Sequence, residues 1–162
     1  MADPAAQAAH RGTRAVSDAT LRQFLGYNLK RAFNVVQADL NRALAPHDLR
    51  MLTYSALVLI VDNPGLRQSQ LADAMYIERP NLVAIVDSLE QRGLVRRDRV
   101  PGDRRANALA ATDRGQRLCR RAVADVRQHE DALFAALDAE ARALIVTALQ
   151  TVQARPGKGL AP

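Results

Sequence analysis

Apolar side chains recur along the first part of the chain at spacings of three and four. Leu21, Phe24, Leu25, Leu29, Ala32, Phe33, Val36, Leu40 and Leu44 fall on one face of a long amphipathic helix. Ser17 or Asp18 is placed to cap its start, and Pro46 stops it because proline lacks the N–H that the next turn needs. A second helix is expected over residues 49–61, closed by the turn Asn63-Pro64-Gly65. Ser69 then opens a short helix with Leu71, Ala72 and Met75 inward. The next helix begins near Pro80, which suits a first turn, and buries Leu82, Ile85, Val86 and Leu89 before Gly93 stops it. Here the period shortens. Residues 94–99 and 106–111 read as two strands around the turn Val100-Pro101-Gly102-Asp103. Thr112 caps a further helix carrying Leu118, Ala122, Val126, Leu133 and Leu137, and Asp138 caps a last one carrying Leu144, Ile145, Ala148, Leu149 and Val152, ended by Pro156.

This order predicts a mainly α chain with a small two-stranded β-hairpin wing. Residues 47–112 are expected to form a winged helix-turn-helix lobe, and residues 18–46 with 113–155 a helical dimerisation region. The terminal helices carry more apolar surface than one small lobe can cover, so they bury it on each other or on a second copy of the chain. A monomeric helical bundle is the plain alternative. Residues 1–17 and 156–162 lack an apolar period and are expected to be loose tails.

Charge sharpens the picture by its location. The chain of 162 residues has a net charge of +6, which favours an anionic partner. Its cations are almost all arginine, a bias that genome composition alone can produce. The local excess is more telling: residues 92–105 hold six Arg and two Asp, a net +4 within 14 residues. No apolar run approaches the roughly 18 residues of a membrane span, and the start has no apolar core of a secretory signal. The single cysteine, Cys119, excludes an intrachain disulfide. A cytoplasmic protein with no membrane partner is expected.

A helix-turn-helix followed at once by a basic hairpin points to double-stranded DNA. The second helix of such a pair can enter the major groove, where base edges carry a full donor and acceptor code. Arg79, Pro80, Asn81 and Val83 occupy the start of that helix. Arg can pair guanine and Asn adenine through two hydrogen bonds each, and an apolar side chain can meet a thymine methyl. Ser69 and Gln70 open the preceding helix, where hydroxyl, amide and backbone N–H groups can reach phosphates. Arg104 and Arg105 sit at the hairpin tip and suit a narrow minor groove. Arg96, Arg97 and Arg99 are either phosphate contacts or solvated cations, and Asp103 either orients a neighbouring arginine or only shapes the turn.

These residues carry a resemblance. Gln70-Leu71-Ala72, Leu82, Val86-Asp87, Leu89-Glu90, Arg92-Gly93-Leu94-Val95, Asp103-Arg104-Arg105-Ala106 and Thr112-Asp113-Arg114-Gly115 together resemble the MarR family over about residues 20–153. The resemblance implies a homodimer whose terminal helices pair and whose two winged lobes sit on adjacent major grooves of a palindromic operator. It implies a minor-groove role for Arg105, with Asp103 orienting it. It also implies repression relieved by a small anionic or aromatic ligand bound between dimer helices and winged lobe. The chain departs from the usual pattern at Pro80 and Asn81, where Ser or Thr is common, and at Val83 and Ala84, where polar or basic residues are. Ala111 replaces a usual Leu, and Arg50 replaces a usual capping Ser or Thr, which leaves Asp48 as an alternative cap.

An effector site is expected beside the first two helices. Tyr27, Lys30, Arg31 and Asn34 share one side of the first, and His47, Arg50 and Tyr54 lie at the start of the second. In the family arrangement these border the ligand cleft, and aromatic walls with a few cations suit a small anionic aromatic effector or its coenzyme A thioester. The alternative is core-edge tyrosines with solvated cations. Arg117, Arg120 and Arg121 would activate Cys119 if they faced it, although redox members of the family carry their reactive cysteine near the start of the first helix. His10, His47 and His129 are too scattered for a metal site. No nucleophile–base pair, glycine-rich phosphate loop or cofactor motif suggests an enzyme or a bound cofactor. Two other readings are a non-specific architectural DNA binder and an interaction protein that has lost DNA binding. The paired Arg104-Arg105 opposes the last.

Overall fold

The computed structural model describes residues 16–100 and 103–154. Most of the expected loose tails and the wing tip, residues 101–102, lie outside the described residues. The chain divides into two compact units at Val35 and Val36.

The first unit departs from the continuous helix that its apolar spacing predicts. Leu21–Gln23 form a single 3-10 turn, and Phe24 is extended at φ −98° and ψ 128°. Helix α1 begins only at Leu25 and runs to Leu44. Asp18 is not a cap: its carboxylate accepts from Arg22 Nε at 2.7 Å and from the Tyr27 hydroxyl at 2.8 Å. Side-chain donors have taken the acceptor that the helix start would use. The Arg22 hydrogen bond, followed by that of Tyr27, holds the Asp18 carboxyl below the usual carboxylate range.

In the second unit α1 ends ahead of Pro46, as proline requires, and Ala45–His47 tighten into a 3-10 turn. Helix α2 (Met51–Asp62) follows. Asp48 does not cap it, because its backbone is left-handed at φ 51°. The Thr53 hydroxyl instead accepts the Arg50 N–H at 2.9 Å. Strand β1 (Leu66–Arg67) leads into helix α3 (Gln68–Met75). This helix starts slightly earlier than expected because the Gln70 side chain accepts the Arg67 N–H at 3.0 Å, so Ser69 sits inside the first turn. Helix α4 (Arg79–Gln91) has Pro80 in its first turn, and Gly93 just beyond it takes the left-handed backbone, φ +66°, that favours glycine.

Of the hairpin strands, β2 (Val95–Val100) is shifted by one residue from its expected place, β3 (Asp103–Ala111) starts earlier than predicted, and the sheet has a third member. Its order is β1-β3-β2, all antiparallel, with Leu66 opposite Leu109 and Val95 opposite Ala111. Two residues were too few to register as an alternating pattern. Helix α5 (Asp113–Leu133) is capped by the Thr112 hydroxyl, which accepts from Gly115 N at 3.0 Å. It stops before Leu137. That turn is held by Arg142, which donates to the carbonyls of Phe134 and Leu137 at 2.9 and 3.2 Å. Helix α6 (Ala139–Gln153) is capped by Asp138, as predicted.

The core lies within the second unit. Leu57 and Ile60 of α2, Leu71 of α3, Leu82, Val86 and Leu89 of α4 and Leu109 of β3 are fully buried or nearly so. Helix α6 contributes none: Leu144, Ile145, Val146, Leu149 and Val152 are exposed within the chain.

Gly115 explains part of the Thr-x-x-Gly motif. A Cβ there would stand 1.9 Å from the Leu94 carbonyl oxygen, a backbone atom that cannot swing aside. The same carbonyl accepts the Thr112 N–H at 3.0 Å, so strand and helix are pinned together. Gly115→Ala is therefore expected to cost about 1–3 kcal/mol through overpacking, read as a lower urea midpoint. An unchanged midpoint would show that the helix start can shift freely.

Candidate nucleic-acid interface

The burial of α4 fixes which of its side chains can meet a partner. Leu82, Val86 and Leu89 lie at spacings of four and three and are at most 1% exposed. The rest of the first turns therefore faces outward. Arg79, Pro80 and Asn81 are exposed, and Val83 is 43% exposed. A shallow groove of about 260 Å³ is lined by Gln68, Ser69, Arg79, Leu82 and Val83. It brings the start of α3 beside the start of α4, so Ser69, Arg79 and Val83 occupy one surface. The α3 first turn offers backbone N–H groups there, and the arginine offers a planar fork of donors. Gln70 is partly committed, since its side-chain oxygen serves the Arg67 N–H.

Sequence reasoning passed over Tyr76. It ends α3 with a left-handed backbone, φ 52°, and its residue is 90% exposed. A large aromatic where Gly or Asn is favoured was the available signal. It lies three positions before Arg79 on the turn into α4.

The arginines after α4 divide by role. Arg92 donates to the carbonyls of Asp48 and His47 at 2.6 and 3.1 Å, tying the end of α4 to the turn before α2. Arg96 pairs with Asp98 at 2.9 Å. Arg97 is turned toward α4, where Asp87 and Glu90 hold it. Arg99 is exposed on β2 opposite Asn107. Asp103, Arg104 and Arg105 belong to β3, and their side chains lie outside the described residues.

The effector candidates are dispersed. In the first unit Tyr27 and Arg31 come together, the guanidinium lying 5.7 Å from the ring centroid and 3.3 Å from Asp18, while Lys30 sits over Phe33 at 5.4 Å. In the second, His47 is engaged by α5. Its side chain is 9% exposed, and Nε2 lies 2.7 Å from Asp125 of α5. Arg50 lines an open groove with Asn41, Ala45, Asp48 and Leu49. Tyr54 lines a separate cavity of about 280 Å³, walled by Val36, Asp39, Leu40 and Ala43 of α1 and by Val126, His129, Glu130, Leu133 and Phe134 from α5 and its end. Burial pushes the Tyr54 hydroxyl above its ordinary pKa. Val36, Leu40, Val126 and Leu133 were legible only as helix packing positions, so the sequence did not mark them as a cavity wall. At its rim Asp39 pairs with Arg42 at 2.7 Å, and His129 lies 3.5 Å away. The Arg42 hydrogen bond keeps the Asp39 carboxyl below the usual range. No cluster of three metal-ligating side chains occurs among the described residues.

Cys119 faces the core at 5% exposure. Burial pushes its thiol up, and the opposing influence of Arg120 is smaller. The nearby arginines therefore do not activate it.

Residues 47–106, spanning α2 to β3, match the family model described as MarR family. A protein of Thauera aromatica assigned to transcriptional regulation of the hcr operon is 36% identical over 144 residues, covering 84% of this chain and 87% of the relative. The chain belongs to the MarR family. It is accordingly a transcriptional regulator and not an enzyme. Among solved MarR-family structures, the transcriptional repressor CouR bound to a 23-mer DNA duplex is 38% identical, with TM-score 0.83, covering 86% of this chain and 99% of that one. CouR from Rhodococcus jostii RHA1 bound to p-coumaroyl-CoA is 33% identical, with TM-score 0.77, covering 88% and 100%. No single helix among the described residues is long and apolar enough to cross a membrane.

Alkylation by iodoacetamide at neutral pH is expected to be far slower for native Cys119 than for the urea-unfolded chain, because thiolate and access are both suppressed. Cys119→Ser is expected to leave DNA affinity unaltered by peroxide, as in the parent. Rapid native alkylation, or peroxide-driven release from DNA in the parent that Cys119→Ser abolishes, would contradict this.

Proposed function

We propose that this regulator is a sequence-specific repressor that binds a palindromic operator as a homodimer and is released by an aromatic acyl thioester of coenzyme A. The observation that carries this reading is the likeness, over nearly the whole length of both chains, to a repressor solved with a DNA duplex and with p-coumaroyl-CoA. The exposed start of α4 supports base readout by Arg79 and Asn81, with Val83 toward a thymine methyl. Arg104 and Arg105 are assigned to the minor groove and Arg99 to a phosphate on their place in the wing. The uncovered apolar side chains of α6 support pairing with a second copy through residues 18–46 and 113–155.

For the effector, the cavity beside Tyr54 is apolar along most of its wall and large enough for an aromatic acyl group. Release requires the ligand to bind the DNA-incompetent arrangement more tightly, since only differential affinity shifts a population. The apolar exposure of Val83 and Ala84 also favours a second reading, an architectural DNA binder whose affinity is nearly all electrostatic.

Calorimetry with p-coumaroyl-CoA, free p-coumarate and coenzyme A tests the effector reading. The thioester is expected to bind, to displace the protein from DNA, and to lose about tenfold in affinity, or about 1.4 kcal/mol, on Tyr54→Ala. If none of the three binds, or if binding ignores both Tyr54→Ala and DNA, the reading fails.

A further inference from the structure

Arg97 is the one arginine of β2 whose side chain is largely covered, at 21% exposure. Its two terminal nitrogens go to different carboxylates of α4: Nη2 to Asp87 and Nη1 to Glu90. These acids are one turn apart, so both project from the same side of the helix. With its oxygen turned toward the guanidinium, the Gln68 amide accepts from Nη2 at 3.1 Å and Nε at 3.3 Å. One planar group thus joins the first strand of the wing, the helix presented for base reading and the start of α3.

We propose that Arg97 is a positioning residue for DNA recognition: held by Asp87, Glu90 and Gln68, it locks the wing to α4 so that both engage one stretch of duplex in register. The inference rests on the DNA-reading assignment above. Two features of the cluster argue for geometry rather than charge. Asp87 and Glu90 place negative charge on the helix that must approach phosphates, which opposes binding unless the acids serve another purpose. Partly exposed ion pairs also contribute little to stability, so folding alone gives weak reason for three polar groups to converge there. A guanidinium suits the task because its fork is rigid and directional, whereas a lysine ammonium would supply the charge without the orientation.

The test uses the full chain, a duplex that it selects from a random pool, and a scrambled duplex of equal composition. Affinities are measured across salt concentrations for the parent, Arg97→Lys, Arg97→Ala and the double variant Asp87→Asn/Glu90→Gln, with thermal unfolding followed in parallel. The double variant removes two negative charges. Simple electrostatics therefore predicts tighter binding to both duplexes, whereas the positioning role predicts about tenfold weaker binding to the selected duplex and undiminished binding to the scrambled one. Arg97→Lys keeps the charge and is expected to lose a similar part of the selected-over-scrambled ratio, with the salt slope unchanged. Arg97→Ala combined with the double variant should cost little more than either alone, since the groups act as one unit. Tighter binding by the double variant, or full discrimination by Arg97→Lys with a slope shallower by about one in Arg97→Ala, would make Arg97 a direct phosphate ligand and overturn the inference. If the parent selects no duplex, the sequence-specific reading fails first and this inference with it.

Discussion

The burial of one face of α4 is the constraint on which the rest depends. Leu82, Val86 and Leu89 are packed to near-zero exposure beside Leu57 and Ile60 of α2 and Leu71 of α3. A helix has only one azimuth that satisfies such a stripe, so the opposite face is presented by default. Arg79, Asn81 and Val83 fall outside that stripe and are left outward. The same core carries Leu94, Val95 and Leu109, which sets the wing strands beside that helix. Thr112 and Gly115 then pin α5 against the Gly93 and Leu94 carbonyls just before β2. The outward side of α4, the wing and the following helix are thus arranged by one set of apolar contacts and two close backbone approaches.

Much of this was legible in the sequence because the controlling signals are local. The caps at Thr112 and Asp138, the stop at Gly93 and the buried positions Leu82, Val86 and Leu89 of α4 follow from residue type and period and are where the pattern put them, while Ile85 is only partly buried. The misses arose where a side chain outside the local pattern won. Asp18 serves Arg22 and Tyr27 rather than a helix start, Asp48 adopts a left-handed backbone, and Gln70 moves the start of α3. β1 is a two-residue strand, recognisable only by its register on Leu109 and Ala108. The effector set was the least legible, since His47 turns out to serve Asp125, and the Tyr54 cavity is walled by residues whose spacing announces only helix packing.

The cluster of arginines in residues 92–105 carries a related lesson. Its net charge suggested one basic surface, but placement separates the cations. Arg92 holds two carbonyls, Arg96 answers Asp98, and Arg97 is enclosed by acids of α4, while Arg99 remains outward. Charge counted along a sequence measures what is available to a polyanion only after these internal partners are subtracted. The helices at the two ends of the chain pose the complementary case, where apolar side chains outnumber the surfaces present to receive them.

Footprinting on the DNA flanking this protein's own gene tests the central claim most directly. A bounded protected site with two inverted half-sites about one helical turn apart, persisting under excess competitor DNA, is expected. Uniform, unbounded protection that disappears as competitor or salt is added would contradict it, leaving the basic lobe as an architectural binder without a reading head.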